Sequence, residues 1–311
     1  MVKTWFEDIS KEKYPNMSRL IESWKNSGWE YVFYDDNASE NFLSMHFPPE
    51  VREAYDALIP GAFKADLFRY CVLLIHGGVY ADMDVLLESN LDNSIPPDVG
   101  FLTPIDEPGI KVSHRMCLWN GLLAVAPGHP IIVRVVELVV NNIRNRFTSV
   151  DYDNMLCPSP VLSVSHSVDM LFTAGPCILG SALNDVIGNH MQDEIDQGEI
   201  DIWGEDEELI DQRLFHEREE NVIFDDPRLF MPGRTVILQQ MKQDMGAHRF
   251  TLLEENMIVA GTDFPDYEDR PNVKGKHYSK TRVKAGIFGL HSLYHDDNNA
   301  DEIIRIFIEG M

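Results

Sequence analysis

The chain has 311 residues, with 26 Lys or Arg against 51 Asp or Glu, for a formal charge of −25. A hydrophobic share of 44% is enough to bury a core and excludes a chain disordered throughout. So acidic a balance excludes nucleic acid and anionic membrane surfaces as natural partners, because both need a positive field to offset phosphate. A small anionic ligand is still allowed where a metal or a local cation meets it. The length suits one large domain or two small ones. With no clean linker, a single domain over 1–311 is the better reading. The opening MVKTWFEDISKEKY holds no apolar h-region or cleavage site, and no run of about 18 apolar residues follows. No transmembrane segment and a cytoplasmic location are therefore expected. Cys71, Cys117, Cys157 and Cys177 show no CxxC spacing and are expected to be reduced, mostly buried thiols.

In chain order, Pro15 to Gly28 reads as a helix, with Pro in its first turn, Leu20, Ile21 and Trp24 on one face, and Gly as the stop. Trp29 to Tyr34 (WEYVFY) is aromatic and β-branched, hence a strand. Asn37 to His46 and Pro48 to Leu58 read as two short helices. Ala62 to His76 is a strongly apolar helix that ends at Gly77-Gly78, and Val79 to Tyr80 is a short strand leading to Asp82-Met83-Asp84. Strands alternating with helices imply an α/β layer with a partly parallel sheet. Further on, Gly100 to Thr103, Leu122 to Val125 and Val236 to Gln239 are candidate strands. Ile131 to Phe147, Pro160 to Thr173 and Pro176 to Ile187 are candidate helices. Gln192 to Glu220 is very acidic and reads as a solvated surface insertion, Asp263 to Lys284 as a loop or mobile lid, and Ile303 to Ile308 as a closing helix.

The most informative stretch is AFKADLFRYCVLLIHGGVYADMDVLL, Ala62 to Leu87. Asp82 and Asp84 stand two apart at the end of a strand, and on an extended chain such positions project to one side. Two carboxylates on one side suit a hard divalent cation such as Mn²⁺ or Mg²⁺. Such an ion can bridge a diphosphate and offset its charge as it leaves. Met83 is expected to point the other way, into packing. Asp66 and Arg69 are i and i+3 on the preceding helix and so share a face. They read either as a surface ion pair of a few tenths of a kcal/mol, or as groups on a buried helix that hold a polar ligand between them.

The run Ala65-Asp66-Leu67-Phe68-Arg69-Tyr70, followed by His76-Gly77-Gly78-Val79-Tyr80-Ala81-Asp82-Met83-Asp84-Val85, closely resembles the DXD-containing sugar-binding region of family 32 glycosyltransferases. That group includes fungal α-1,6- and sphingolipid mannosyltransferases. It is similar, more distantly, to the catalytic domains of clostridial glucosylating toxins. Lys3-Thr4-Trp5 stands where the family's opening H-Q-x-W element ends. Asn120 to Pro130 (NGLLAVAPGHP) and Ala174-Gly175-Pro176 resemble two later blocks, and His291 sits where the family has a late His. The sequence after it has no Trp at the usual spacing, and His295 is an equal candidate.

The resemblance implies a GT-A-like fold: a Rossmann-type nucleotide-binding sheet flanked by helices, in a single domain with helical and loop insertions. Its donor half would be residues 1–125 and its acceptor side 126–311. It implies retaining transfer of a hexose from a nucleotide diphosphate sugar, GDP-mannose or a UDP-hexose, to a hydroxyl of a glycan or glycolipid. By the same resemblance, Asp82 and Asp84 would hold Mn²⁺ or Mg²⁺, with His291 completing the shell. Asp66 and Arg69 would bond donor sugar hydroxyls, Trp5 would flank the base, Tyr80 would line the ribose or phosphate, and Asn120 would face the acceptor or the anomeric centre. A non-catalytic nucleotide-sugar or glycan-binding protein on this fold, and a metal-dependent phosphohydrolase, are the alternatives. Family usage also offers a second location, a Golgi-type catalytic domain separated from its anchor.

Overall fold

A computed structural model describes residues 1–4, 9–58, 61–106, 117–145, 173–183, 185–186, 222–223, 233–242, 248–252 and 257–262. The elements in chain order are β1 (Val2–Thr4), α1 (Pro15–Lys25), β2 (Val32–Tyr34), α2 (Asp36–His46), α3 (Pro49–Ala57), α4 (Gly61–His76), β3 (Gly78–Ala81) and β4 (Leu86–Leu87). There follow α5 (Leu91–Ser94), β5 (Val99–Pro104), β6 (Leu122–Val125), α6 (Pro130–Asn145), β7 (Val222–Ile223), β8 (Arg234–Lys242), β9 (His248–Leu252) and β10 (Met257–Thr262). Residues 176–183 are also helical.

The expected α/β layer is present. One sheet runs in the order β2-β1-β3-β6-β5-β8-β9-β10-β4, with β7 paired to β8. It is parallel where β1 lies between β2 and β3 and where β5 meets β8, and antiparallel elsewhere. Successive strand residues face opposite sides, and the core divides accordingly. Val2, Tyr80, Leu123 and Val125 pack against α2, α3, α4 and α6, while Val79, Ala81, Leu122 and Ala124 share the other cluster with Trp24 of α1. Apolar nearly all round, α4 buries Phe63 and every residue from Asp66 to Leu74. Gly77 stops it at φ +62°, where a Cβ would meet Pro127 at 2.6 Å. The chain can therefore turn straight back into β3.

Two features depart from the sequence reading. The strands β1, β7, β9 and β10 were not anticipated, and are set by pairing with distant partners rather than by their own pattern; nor was the single-turn helix α5, capped by the Asn90 side chain. Cys117 and Cys177 are not free thiols but form a disulfide across 60 residues of sequence. In the chain-entropy account a loop of that size is worth about 4 kcal/mol. Cys71 remains a buried free thiol, as expected. Cys157, the acidic stretch from Gln192 to Glu220, and the segments Asp263 to Lys284 and Ile303 to Ile308 lie outside the described residues, as does Pro160 to Thr173 apart from its last residue.

One pH effect arises from the fold itself. His129 caps α6, its Nδ1 accepting the Ile131 N–H at 3.3 Å, while its Nε2 has no hydrogen-bond partner among the described residues. Burial pulls its pKa down to about 4. The native state thus prefers neutral His129. The stability this contributes is complete above about pH 6.5, the unfolded value, and is lost as pH falls towards 4, by about 3 kcal/mol in all. We expect urea-unfolding free energies to fall less steeply over that window in His129→Asn, which keeps a capping side chain but does not titrate there. Identical slopes would contradict this.

Candidate donor-binding site

The parallel strands β1, β2 and β3 end at one edge of the sheet, where open α/β sheets bind ligands. Beyond β3 the chain does not stay extended. The Asp82 N–H donates to the Gly121 carbonyl at 2.8 Å, and the Val85 N–H returns to the Asp82 carbonyl at 3.2 Å. The acid pair therefore rides on a tight turn and not on the extended strand end expected from its i, i+2 spacing. Met83 does point inward, 4% exposed among Tyr14, Met17 and Ile21, while Asp82 and Asp84 are half-buried.

The Asp66–Arg69 pair is not a surface bridge. Asp66 is fully buried and the Arg69 side chain is 4% exposed. Arg69 lies 3.0 Å from Asp66 Oδ1 and 3.2 Å from Asp82 Oδ1. It also donates to the Asn120 carbonyl at 2.7 Å and to the Ala65 carbonyl at 3.2 Å. Its guanidinium sits 4.6 Å from the centre of the Tyr80 ring. Asn120 closes the network, its amide donating to Asp66 Oδ1 at 3.0 Å and to the Tyr70 hydroxyl at 2.8 Å. The Tyr70 hydroxyl donates to the Gly175 carbonyl at 3.3 Å. Burying ions is unfavourable unless each is paired and hydrogen-bonded, and here every member has several partners.

The antiparallel pairing of β6 with β3 explains why Asn120 is present. Leu122 stands opposite Ala81, so the residues before β6 meet the residues after β3. Gly121 is required there on steric grounds. A Cβ on it would lie 2.5 Å from the Trp119 ring and 2.7 Å from Asp82 Oδ2. Trp119 is half-buried and stacked on Phe250 with ring centres 4.5 Å apart.

The structure thus brings Asp66, Arg69, Tyr80, Asp82 and Asn120 into one network, with Asp84 on the same turn. Tyr80, expected to line the ribose or phosphate, is buried. Its hydroxyl donates to Asp82 Oδ1 at 2.9 Å and lies 3.1 Å from Thr4 Oγ1. Burial pushes its pKa well up, so it stays a neutral donor. Trp5, His291 and His295 lie outside the described residues. Sequence reasoning missed Lys3, Tyr70 and Gly121. None of the three carried a signal of its own, since the strand that buries Lys3 was itself not anticipated. Among the described residues no group of three or more His, Cys, Asp or Glu gathers around a point, so the acid pair supplies at most two ligands there. Their hard carboxylate oxygens fit Mn²⁺ or Mg²⁺.

Residues 11–102 match the family model for a glycosyltransferase sugar-binding region containing the DXD motif. That stretch holds Asp66, Arg69, Asp82 and Asp84, so the resemblance carried by these residues is confirmed. Among curated relatives, a Saccharomyces cerevisiae protein named as a glycosyltransferase is 27% identical over 157 residues, 46% of this chain and 39% of that protein. An uncharacterized glycosyltransferase of Acanthamoeba polyphaga mimivirus is 36% identical over 107 residues, 34% of this chain and 40% of that protein. The initiation-specific α-1,6-mannosyltransferase of Candida albicans is 21% identical over 246 residues, 72% of this chain and 61% of that protein. The chain thus spans about two-fifths of the length of the first two. No helix among the described residues is long and apolar enough to cross a membrane.

Proposed function

We propose that this chain is a GT-A-like, retaining glycosyltransferase that moves a hexose from a nucleoside diphosphate sugar to a hydroxyl of a glycan or glycolipid. The observation that carries the reading is the buried Asp66–Arg69 pair joined to Asp82 of the acid turn, within the matched sugar-binding region. The name of the Candida relative favours mannose, and hence GDP-mannose, as donor.

Asp82 and Asp84 would hold Mn²⁺ or Mg²⁺, and a bound ion would supply positive charge to offset a departing diphosphate. Arg69 keeps Asp82 in place and adds a fixed positive charge at the site. Asp66 is fully buried and in contact with Arg69 and Asn120, so it orients Arg69 directly. No dedicated general base stands out among the described residues. In a front-face retaining path, the departing phosphate oxygen takes the acceptor proton as the new glycosidic bond forms and the sugar–phosphate bond breaks.

The Cys117–Cys177 disulfide supports a lumenal or extracellular setting over the cytoplasm, since disulfides persist where the surroundings are oxidising.

Incubation with GDP-mannose and a series of UDP-hexoses, with and without Mn²⁺, tests the reading. Intact nucleoside diphosphate should appear, with the sugar on acceptor or water. Inorganic phosphate instead would indicate a phosphohydrolase, and tight binding without turnover a binding protein. Gly121→Ala should lower that turnover at least about tenfold by pushing the Asp82 carboxylate aside. Trp119, held against Phe250, is the less able of the two to yield. Unchanged turnover in Gly121→Ala would show that the Asp82 position is not critical.

A further inference from the structure

Three side chains from three distant elements reach the backbone of the acid turn. Lys3 of β1 donates to the Asp82 carbonyl at 2.6 Å, Trp24 of α1 to the Val85 carbonyl at 2.8 Å, and Thr262 of β10 to the Asp84 carbonyl at 3.3 Å. Lys3 stands out among them. It is fully buried, in a strand flanked on both sides by other strands. Its Nζ lies 5.0 Å from the centre of the Trp24 ring.

An apolar residue would fill that position without the cost of desolvating an ammonium. What a lysine adds is a donor to the one carbonyl that opens the acid turn, and a positive charge below two carboxylates. Burial pulls its pKa down to about 7, against the opposing pull of Asp82 and then Asp84. β1 precedes the stretch matched by the family model, so that match assigns Lys3 no role.

We propose that Lys3 is a positioning residue: from beneath the sheet edge it clamps the Asp82 carbonyl, so that the two carboxylates are presented to the ligand at a fixed spacing. Groups that hold a ligating carboxylate from behind typically change affinity or activity 10- to 100-fold, roughly, when removed. The ligand half of the inference rests on the donor-site reading above; the clamp itself does not.

Lys3→Met keeps most of the apolar stem and removes the donor. Hydrogen exchange followed by mass spectrometry on the full chain should show amides in residues 80–87 exchanging at least about tenfold faster, with α4 and α6 unchanged. The half-saturating concentration of GDP or UDP in the presence of Mn²⁺ should rise by about tenfold. If Lys3→Met does not fold, Lys3→Arg keeps charge and donor but lengthens the arm, and should loosen the same peptides. Unchanged exchange in the turn, or acceleration shared equally by α4 and α6, would overturn the proposal. If the wild-type protein binds neither nucleotide, the donor-site reading fails, and the exchange pattern still decides the role of Lys3.

Discussion

Asp84→Asn should reduce Mn²⁺-dependent release of nucleoside diphosphate from a sugar donor by about 10²- to 10³-fold, the usual loss when one preorganised electrostatic group is removed. The substitution is nearly isosteric and Asp84 is half-buried on a turn whose backbone is held by Lys3, Trp24 and Thr262. The fold should therefore survive, and a melting curve checks that. Asp82→Asn should be as damaging to turnover. It also weakens an ion pair, since Asp82 Oδ1 faces Arg69 at 3.2 Å. Arg69 retains Asp66 and two carbonyls, so this second loss should stay local. Full activity in a folded Asp82→Asn/Asp84→Asn double variant would refute the role of the pair.

Arg69→Met should have the largest effect on stability, about 3–5 kcal/mol by urea unfolding, as is usual when one partner of a buried pair is removed. Asp66, fully buried, would lose the Arg69 guanidinium at 3.0 Å while the Asn120 amide stays in place. The mechanism has its own signature. In Arg69→Met/Asp66→Leu the buried carboxylate that faced Arg69 is gone as well, so the double variant should be less destabilised than Arg69→Met alone. If the two single losses simply add, Asp66 is not compensated by Arg69, and the network is mis-assigned.

How far the site was legible in the sequence depends on the sequence separation of its parts. Asp66 and Arg69 stand one helical turn apart on an apolar helix, and the acids follow a double glycine. Local pattern alone therefore assembled α4, the Gly77 turn and the DXD stretch in the right order. The same reasoning could not decide whether the pair was a surface bridge or buried, because that depends on what packs over α4. Nor could it tell a turn from a strand end at Asp82: the i, i+2 spacing is the same in both, and the bond to the Gly121 carbonyl decides it. Lys3 meets Asp82 across 79 residues and Asn120 meets Arg69 across 51, contacts created by sheet register. The Cys117–Cys177 disulfide was hidden for the same reason: nothing in the spacing of the two cysteines marks them as neighbours.

The acidity of the chain also takes on a more definite meaning at this edge of the sheet. Three carboxylates, Asp66, Asp82 and Asp84, meet one permanent buried cation, Arg69, and Lys3, whose positive charge burial weakens. A diphosphate would add more negative charge to these carboxylates, so the proposed donor binding is predicted to depend on a divalent ion.

Thermal unfolding with a panel of nucleotide sugars, each with and without Mn²⁺, tests this most directly. A donor present at about 100 times its dissociation constant stabilises the native state by about 2.7 kcal/mol, which raises the melting temperature by several degrees in a domain of this size. The account predicts such a shift for at least one nucleoside diphosphate sugar in the wild-type protein with Mn²⁺, and its loss in Asp84→Asn or when Mn²⁺ is chelated. A donor shift of the same size in wild type and folded Asp84→Asn, or no shift with any nucleotide sugar, would contradict it.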